Sequence, residues 1–204
     1  MQQINVIKRD GTKEPFDANK INAAILKACD GLPDQVSKVV QVATELQLTL
    51  FDGITTEQLD QAVIQTTLQN VKDDPDYDKI AARLLLKTIY KGILGDYETA
   101  DELKKLHARE FPKFVKVAVK DGLLDKRMSD GRFDLKKLGE ALQPERDDLS
   151  KYLGVMTNKN RYALRKQSGD PLETPQFTHM RIAMGLSYNE TDPTAAAIEF
   201  YMNT

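Results

Sequence analysis

The chain has 204 residues, enough to bury a core in one or two domains, and its 29 basic against 31 acidic residues leave a net charge of −2. That balance argues against a nucleic-acid binder held by bulk electrostatics, and neither an apolar run of about 18 residues nor a signal-peptide pattern behind the polar Met1-Gln2-Gln3 points to a membrane. A single cysteine, Cys29, with two histidines, His107 and His179, excludes an internal disulfide, a dithiol pair and a zinc site of ordinary spacing; it fits a reducing, cytoplasmic setting.

The first element reads as a hairpin within VIKRDGTKEPFD, residues 6–17. Ile4, Val6 and Lys8 alternate with Asn5, Ile7 and Arg9. Asp10-Gly11 is the dipeptide favoured by a two-residue type I′ turn, in which both positions take positive φ. Phe16 closes the return strand. Asp17 then caps a helix in which Ile21, Ala24, Ile25 and Ala28 recur at helical spacing, ended by Gly31. A second helix is expected from Pro33, with Val36, Val39, Val40, Ala43 and Leu46 on one side. A short strand at 48–50 leads to a capping box of Thr55 and Gln58, with Ile54 placed to staple onto Leu59. After Asp73-Asp74-Pro75-Asp76 a fourth helix runs from Tyr77 to Leu94 and ends at Gly95.

Residues 96–160 are helical in propensity, with breaks expected at Pro112, Gly122 and Asp130-Gly131. In 161–204, Thr174-Pro175 is a cap followed by a first-turn proline. Phe177, Met180 and Met184 recur after it at helical spacing, and a last helix starts near Pro193. His179, Met180 and Met184 read as helix surface and core, and Cys29 as a small buried hydrophobe. None of the eleven glycines falls in a P-loop or a dinucleotide-binding fingerprint, so any nucleotide is bound by another architecture.

Three groups of residues together resemble the ATP-cone, a regulatory nucleotide-binding domain found at the N-terminus of ribonucleotide reductase large subunits. They are the V-x-K-R-D-G hairpin with Phe16-Asp17 and Lys20-Ile21, then DGITTEQL from 52, then DYDKIAARLLLKTIYK from 76. NRYALR and ETPQFTHMRIAMGL resemble the helical segment that precedes the catalytic barrel of those enzymes. The fold class implied is mainly α: a four-helix unit capped by a small β-hairpin, residues 1–95. A connecting segment, 96–160, and the start of the reductase helical domain, 161–204, follow. The barrel that would come next lies outside this sequence, so the chain reads as an N-terminal piece without catalytic residues, inactive alone.

The resemblance implies nucleotide contacts from Lys8, Arg9, Glu14, Phe16, Lys20, Ile21, Thr56 and Lys91. Lys8 and Arg9 match the phosphate-facing cations of the hairpin; two solvated cations flanking a turn are the plain alternative. Lys20 sits in the first turn of its helix, where the dipole favours anions. Phe16 and Ile21 either wall the base or pack the core. Glu14 serves ribose, base or only the solvated hairpin. Thr56 follows the cap residue Thr55, and Lys91 matches a phosphate-side lysine. The effector implied is ATP, activating, or dATP, inhibiting, with Mg²⁺. The partners implied are the rest of the large subunit and a radical-generating subunit, in a homo-oligomer, without nucleic acid or membrane. The rival reading is a degenerate cone kept as a subunit-interaction surface.

Overall fold

The N-terminal sheet is built on β1, Asn5–Ile7, which pairs antiparallel with β2, Lys13–Pro15. The computed structural model describes residues 4–203. In the hairpin Lys8 N–H donates to Thr12 O at 2.8 Å and Gly11 N–H to Lys8 O at 2.9 Å, so the loop is three residues, Arg9-Asp10-Gly11. Gly11 alone takes a positive φ, 83°, and Asp10 does not. The expected type I′ turn is therefore replaced by the three-residue loop that ends on a left-handed glycine. The Asp10 carboxylate explains the choice. It accepts from Thr12 N–H at 2.9 Å and Thr12 Oγ1 at 2.7 Å, closing a local turn that needs Asp10 outside the left-handed region.

Helix α1, Ala18–Ala28, is capped by the Asp17 carboxylate, which accepts from Asn19 N–H. Helix α2 spans Gln35–Leu46, two residues later than Pro33 suggested, because Asp34 turns into the left-handed region at φ 51°. Its buried face is Lys38, Val42 and Leu46, while Val36 and Val40 stay exposed; this corrects the expected valine-lined face. The face is set by an ion cluster. Buried Lys38 Nζ reaches Asp74 at 2.8 Å, Asp76 at 3.2 Å and the Pro33 carbonyl at 3.0 Å, and the first of these bonds helps to raise its pKa. Satisfying a buried ammonium outranks burying two valines.

No strand forms at 48–50; the third strand is β3, Ile54–Thr55, which pairs parallel with β1. Asp52 enforces this, accepting from Asn5 N–H at 2.8 Å and Asn5 Nδ2 at 2.9 Å, while Gly53 N–H donates to Asn5 O at 2.9 Å. Helix α3, Thr56–Gln69, follows directly, and the Thr55–Gln58 capping box is present. Helix α4, Asp76–Leu94, supplies the apolar core residues Ile80, Ala81 and Leu85. Its Arg83 donates to the Ala28 and Asp30 carbonyls at the end of α1, at 2.9 and 2.6 Å. Cys29 is buried beside them, and burial pushes its thiol pKa up.

The chain divides into two compact units, Met1–Thr88 and Ile89–Thr204. In the second, α5, Ala100–Lys120, opens with a capping box of Thr99 and Glu102 and runs straight through Pro112, where a break was expected. A helix-interior proline costs about 3 kcal/mol. Burial of His107, Phe111, Val115 and Ala118 along one stripe offsets it. Pro112 has no N–H for the Ala108 carbonyl four residues back. A Cβ on Gly139 of α6, Leu135–Glu140, would lie 2.6 Å from that same oxygen, so the two backbones meet where the proline removed the donor. Gly122 and Gly131, at φ 72° and 97°, end elements as expected.

Helix α7 is Tyr152–Thr157, followed by a wider turn at Asn158–Tyr162. Thr174 caps α8, Pro175–Leu186, and Asp192 caps α9, Pro193–Met202. The Glu173 side chain is fully buried. It accepts from Arg181 Nε at 2.5 Å and Nη2 at 3.1 Å, from Leu164 N–H at 2.8 Å and from Thr178 Oγ1 at 3.2 Å. This joins NRYALR to ETPQFTHMR. Phe177, Met180 and Met184 are core residues as expected; His179 is half-buried, and burial lowers its pKa.

A second buried carboxylate, Asp147, lies in the short turn Pro144–Leu149. It accepts from the Tyr90 hydroxyl and from Gln176 Nε2 at 2.5 Å. Gln176 Oε1 in turn accepts from the Tyr201 hydroxyl, whose oxygen accepts from Gln143 N–H at 2.8 Å. Burial pushes Asp147 up to about 6, against the hydrogen bonds of Tyr90 and Gln176. His107 stands edge-on to Tyr90 at 5.4 Å and to Phe177 at 5.5 Å. Its Nδ1 lies 2.9 Å from Leu103 O, while Nε2 is buried without a partner among the described residues. Burial lowers it to about 4, so the ring is neutral at ordinary pH.

Two outcomes follow for the second unit. Gly139→Ala forces a backbone clash and lowers unfolding stability by about 1–3 kcal/mol in a urea titration. Asp147 has its folded pKa raised to about 6. Its folded state therefore holds a proton that the unfolded state has already lost, and its contribution is complete at low pH. That contribution declines as pH rises from about 4 to about 6, by roughly 2–3 kcal/mol. Urea midpoints of Asp147→Asn lack that part of the pH slope relative to the parent.

Candidate nucleotide site

Strand direction decides which candidate residues meet. β1 and β3 run parallel in the register Val6↔Ile54 and Ile7↔Thr55. Continuing that register sets Lys8 level with Thr56, the first residue of α3. Lys8, Arg9 and Thr56 are thus brought to one end of the sheet, beside a helix N-terminus. The capping box uses the N–H of Gln58, which donates to Thr55 Oγ1 at 3.1 Å, and that of Thr55, which donates to Gln58 Oε1 at 3.0 Å. The first turn of α3 starts here, with the positive end of its dipole at this end of the sheet.

Glu14 sits opposite Val6 in the hairpin register and reaches Lys8 at 2.5 Å, with both side chains about half exposed. That bond, more than any other cause, raises the Lys8 pKa. The ammonium is therefore fully charged and held in place by a carboxylate that an incoming anion must share or displace. Arg9 is exposed at the loop, with no ion pair among the described residues.

β2 runs the other way, so Phe16 and the start of α1 lie at the opposite end of the sheet. Phe16 N–H donates to Ile4 O at 2.9 Å, and its side chain is half-buried. Lys20 is exposed on the first turn of α1 and Ile21 is half-buried behind it. A strand of three residues covers about 10 Å, which separates these two groups. The Asp17 carboxylate already satisfies one N–H at the α1 terminus, so Lys20 acts there as a point charge more than as part of an open helix end. Lys91 lies in the last turn of α4, in the second unit, and pairs with Asp96 at 2.9 Å.

Residues 4–92 match the ATP cone domain family, and residues 148–204 match the ribonucleotide reductase all-alpha domain family. The chain carries an ATP cone and a ribonucleotide reductase all-alpha domain. It is 34% identical over 199 residues to the ribonucleoside-diphosphate reductase subunit alpha of Helicobacter pylori, covering 97% of this chain and 24% of that protein. Against the subunit alpha of Chlamydia trachomatis the identity is 31% over 201 residues, covering 98% and 19%. Against that of Enterobacteria phage T4 it is 30% over 206 residues, covering 98% and 26%. The chain thus spans between a fifth and about a quarter of the length of these curated relatives.

An ATP cone is a nucleotide-binding regulatory domain. In this cone, residues beyond those singled out from the sequence lie on the same small sheet. Lys13 is exposed on β2 opposite Ile7, a third hairpin cation whose charge also helps to lower the Asp52 pKa. Asn5 and Asp52 hold β3 against β1. Lys13 was legible as a charge two residues past the turn. The Asn5–Asp52 clamp, 47 residues apart, had no local signal. No helix of the described residues is long and apolar enough to cross a membrane.

The capping and ligand roles of the adjacent threonines separate by substitution. Thr55→Ala removes a box that is present and lowers the stability of the first unit by about 1 kcal/mol. Thr56→Val leaves the thermal melt unchanged, since among the described residues no hydrogen bond depends on that hydroxyl.

Proposed function

We propose that this chain is the allosteric N-terminal part of a ribonucleoside-diphosphate reductase large subunit. Its cone binds ATP, which activates, or dATP, which inhibits, and so controls deoxyribonucleotide synthesis carried out by the rest of that enzyme. The observation that carries the reading is the register that sets Lys8 level with Thr56, with Arg9 next in the chain. Cations beside the positive end of a helix dipole are what a polyphosphate requires. Lys8 and Lys20 act as point charges, Arg9 as a bidentate donor, and Thr56 as a hydroxyl partner. Phe16 and Ile21, half-buried at the other end of the sheet, suit the base, and Glu14, once released from Lys8, suits a ribose hydroxyl. The strand length between the groups suits an extended nucleoside triphosphate.

The carboxylates near the hairpin are each engaged: Asp10 with Thr12, Asp17 with Asn19, Asp52 with Asn5 and Glu14 with Lys8. Mg²⁺ therefore enters on the phosphates of the nucleotide rather than in a carboxylate cage, as its preference for phosphate and water ligands allows. The partners on this reading are the remainder of the large subunit and a radical-generating subunit, within a homo-oligomer in the cytoplasm. ATP and dATP differ by one hydroxyl, so opposite effects require that each favours a different arrangement of the protein.

Calorimetric titration of the 204-residue chain tests this. Lys8→Ala and Arg9→Ala each weaken ATP binding roughly 10- to 100-fold, the loss expected for a charge-assisted hydrogen bond. Their ligand-free melting temperatures stay at the parent value. The losses shrink as salt rises, because part of the attraction is screened. A chain that binds neither ATP nor dATP overturns this reading and favours the interaction-surface alternative.

A further inference from the structure

One stretch of the second unit concentrates charge of a single sign. From Leu149 to Gly169 the chain carries Lys151, Lys159, Arg161, Arg165 and Lys166 and no aspartate or glutamate, although its net charge is −2. The stretch comprises α7, the wider turn Asn158–Tyr162 and a loop closed by the bridge between Arg165 and Pro171. Arg165 spends its guanidinium inward, donating to Lys159 O at 2.6 Å, Asn160 Oδ1 at 3.3 Å and Gly169 O at 2.6 Å. The other four cations make no ion pair among the described residues; Lys151, Arg161 and Lys166 are exposed and Lys159 is half-buried. The carboxylate of the loop, Asp170, accepts from the Ser168 hydroxyl at 2.7 Å.

Large apolar side chains stand among these cations. Leu149 is 83% exposed, Leu153 72% and Tyr162 59%. Arg161 follows Leu153 by about two turns, so the two share a face, while Val155 on the other side is buried. A lone exposed leucine needs no explanation, but two leucines and a tyrosine within a run of unpaired cations do.

The turn that presents them is fixed in shape. It is a π-turn, in which Ala163 N–H donates to Asn158 O at 2.9 Å, a form that is rare inside helices and recurs at functional sites. It leaves the Asn158 side-chain oxygen buried without a partner among the described residues, so the shape carries a cost. Arg165 holds the Lys159 carbonyl, and Arg181, itself anchored on buried Glu173, holds the Tyr162 carbonyl at 3.0 Å. Asn160, Arg161 and Tyr162 thus project from a backbone tied at both ends, which lowers the ordering cost of binding.

We propose that this face docks an acidic peptide segment of a partner protein, its carboxylates on Lys151, Lys159, Arg161 and Lys166 and its apolar side chains against Leu149, Leu153 and Tyr162. Charge complementarity selects that occupant. Arg161 suits bidentate carboxylate contact and the lysines act as point charges. Tyr and Arg are also the side chains that most often anchor protein interfaces. A nucleic acid would satisfy the cations but set the two leucines against phosphate and sugar. An anionic lipid surface asks for a longer apolar stripe than these three side chains give. The face lies wholly in the second unit and does not rest on the nucleotide reading.

Fluorescence anisotropy on the 204-residue chain tests this, with a labelled peptide repeating Glu-Glu-Leu as the probe. The parent binds it, less tightly as salt rises, and binds an all-glutamate peptide of equal length about tenfold more weakly because the apolar contacts are missing. Arg161→Glu combined with Lys166→Glu, and separately Leu153→Ser, each weaken binding of the Glu-Glu-Leu peptide by about tenfold or more, with thermal melts at the parent value. A parent that does not bind the peptide, or folded variants that bind it as tightly as the parent, overturn the proposal. So does a single-stranded oligonucleotide or a phosphatidylserine vesicle that binds the parent as tightly as the peptide and is lost in the same variants, since the face then takes any polyanion.

Discussion

The candidate site depends on one short strand being hydrogen-bonded on both edges. β1 has three residues, and on them hang the hairpin that carries Lys8 and Arg9 and the parallel strand that feeds Thr56 into α3. A parallel pair two residues long has little stability of its own. The Asp52 carboxylate supplies the rest by taking both the backbone and side-chain N–H of Asn5, and Gly53 adds a third bond to the same residue. The two halves of that clamp are 47 residues apart in sequence, and it closes the end of the strand opposite the cations. Without it, Lys8 and Thr56 have no reason to be level.

The second unit is organised by two buried carboxylates with different partners. Glu173 meets the Arg181 guanidinium and is neutralised within hydrogen-bond distance, so it acts as a fixed strut between the chain entering α8 and the segment before it. Asp147 meets only neutral donors, and burial raises its pKa toward 6. A paired charge gives rigidity, whereas an unpaired one stays sensitive to whether each donor is in place. His107 fills the space beside Tyr90 as a neutral ring, which adds bulk without a compensating charge.

Helix α4 has a different job at each end. In the first unit its apolar face fills the core and Arg83 takes the carbonyls at the end of α1, so it is fixed there by burial and by a cation on a helix terminus. At its C-terminal turn the sequence Tyr90-Lys91 puts a buried hydroxyl next to an exposed ammonium. Adjacent residues on a helix point about 100° apart, so one side chain can face the core while the next faces solvent.

Local signals determined much of this protein. The capping boxes at Thr55 and Thr99, the Asp17 and Thr174 caps, the helix-ending glycines and the four-helix order of the first unit follow from interactions within a few residues, which a sequence displays directly. The motif pattern likewise named the ATP cone and the reductase helical domain. Tertiary structure decided the rest. The buried face of α2 was set by Lys38 finding Asp74 and Asp76, the continuity of α5 through Pro112 by packing along its buried stripe, and the place of β3 by Asn5 meeting Asp52. It also decided which carboxylate would be paired and which left among neutral donors. Each of these depends on a partner tens of residues away, and the energy of a buried charge is set by what surrounds it in space rather than by its neighbours in the chain.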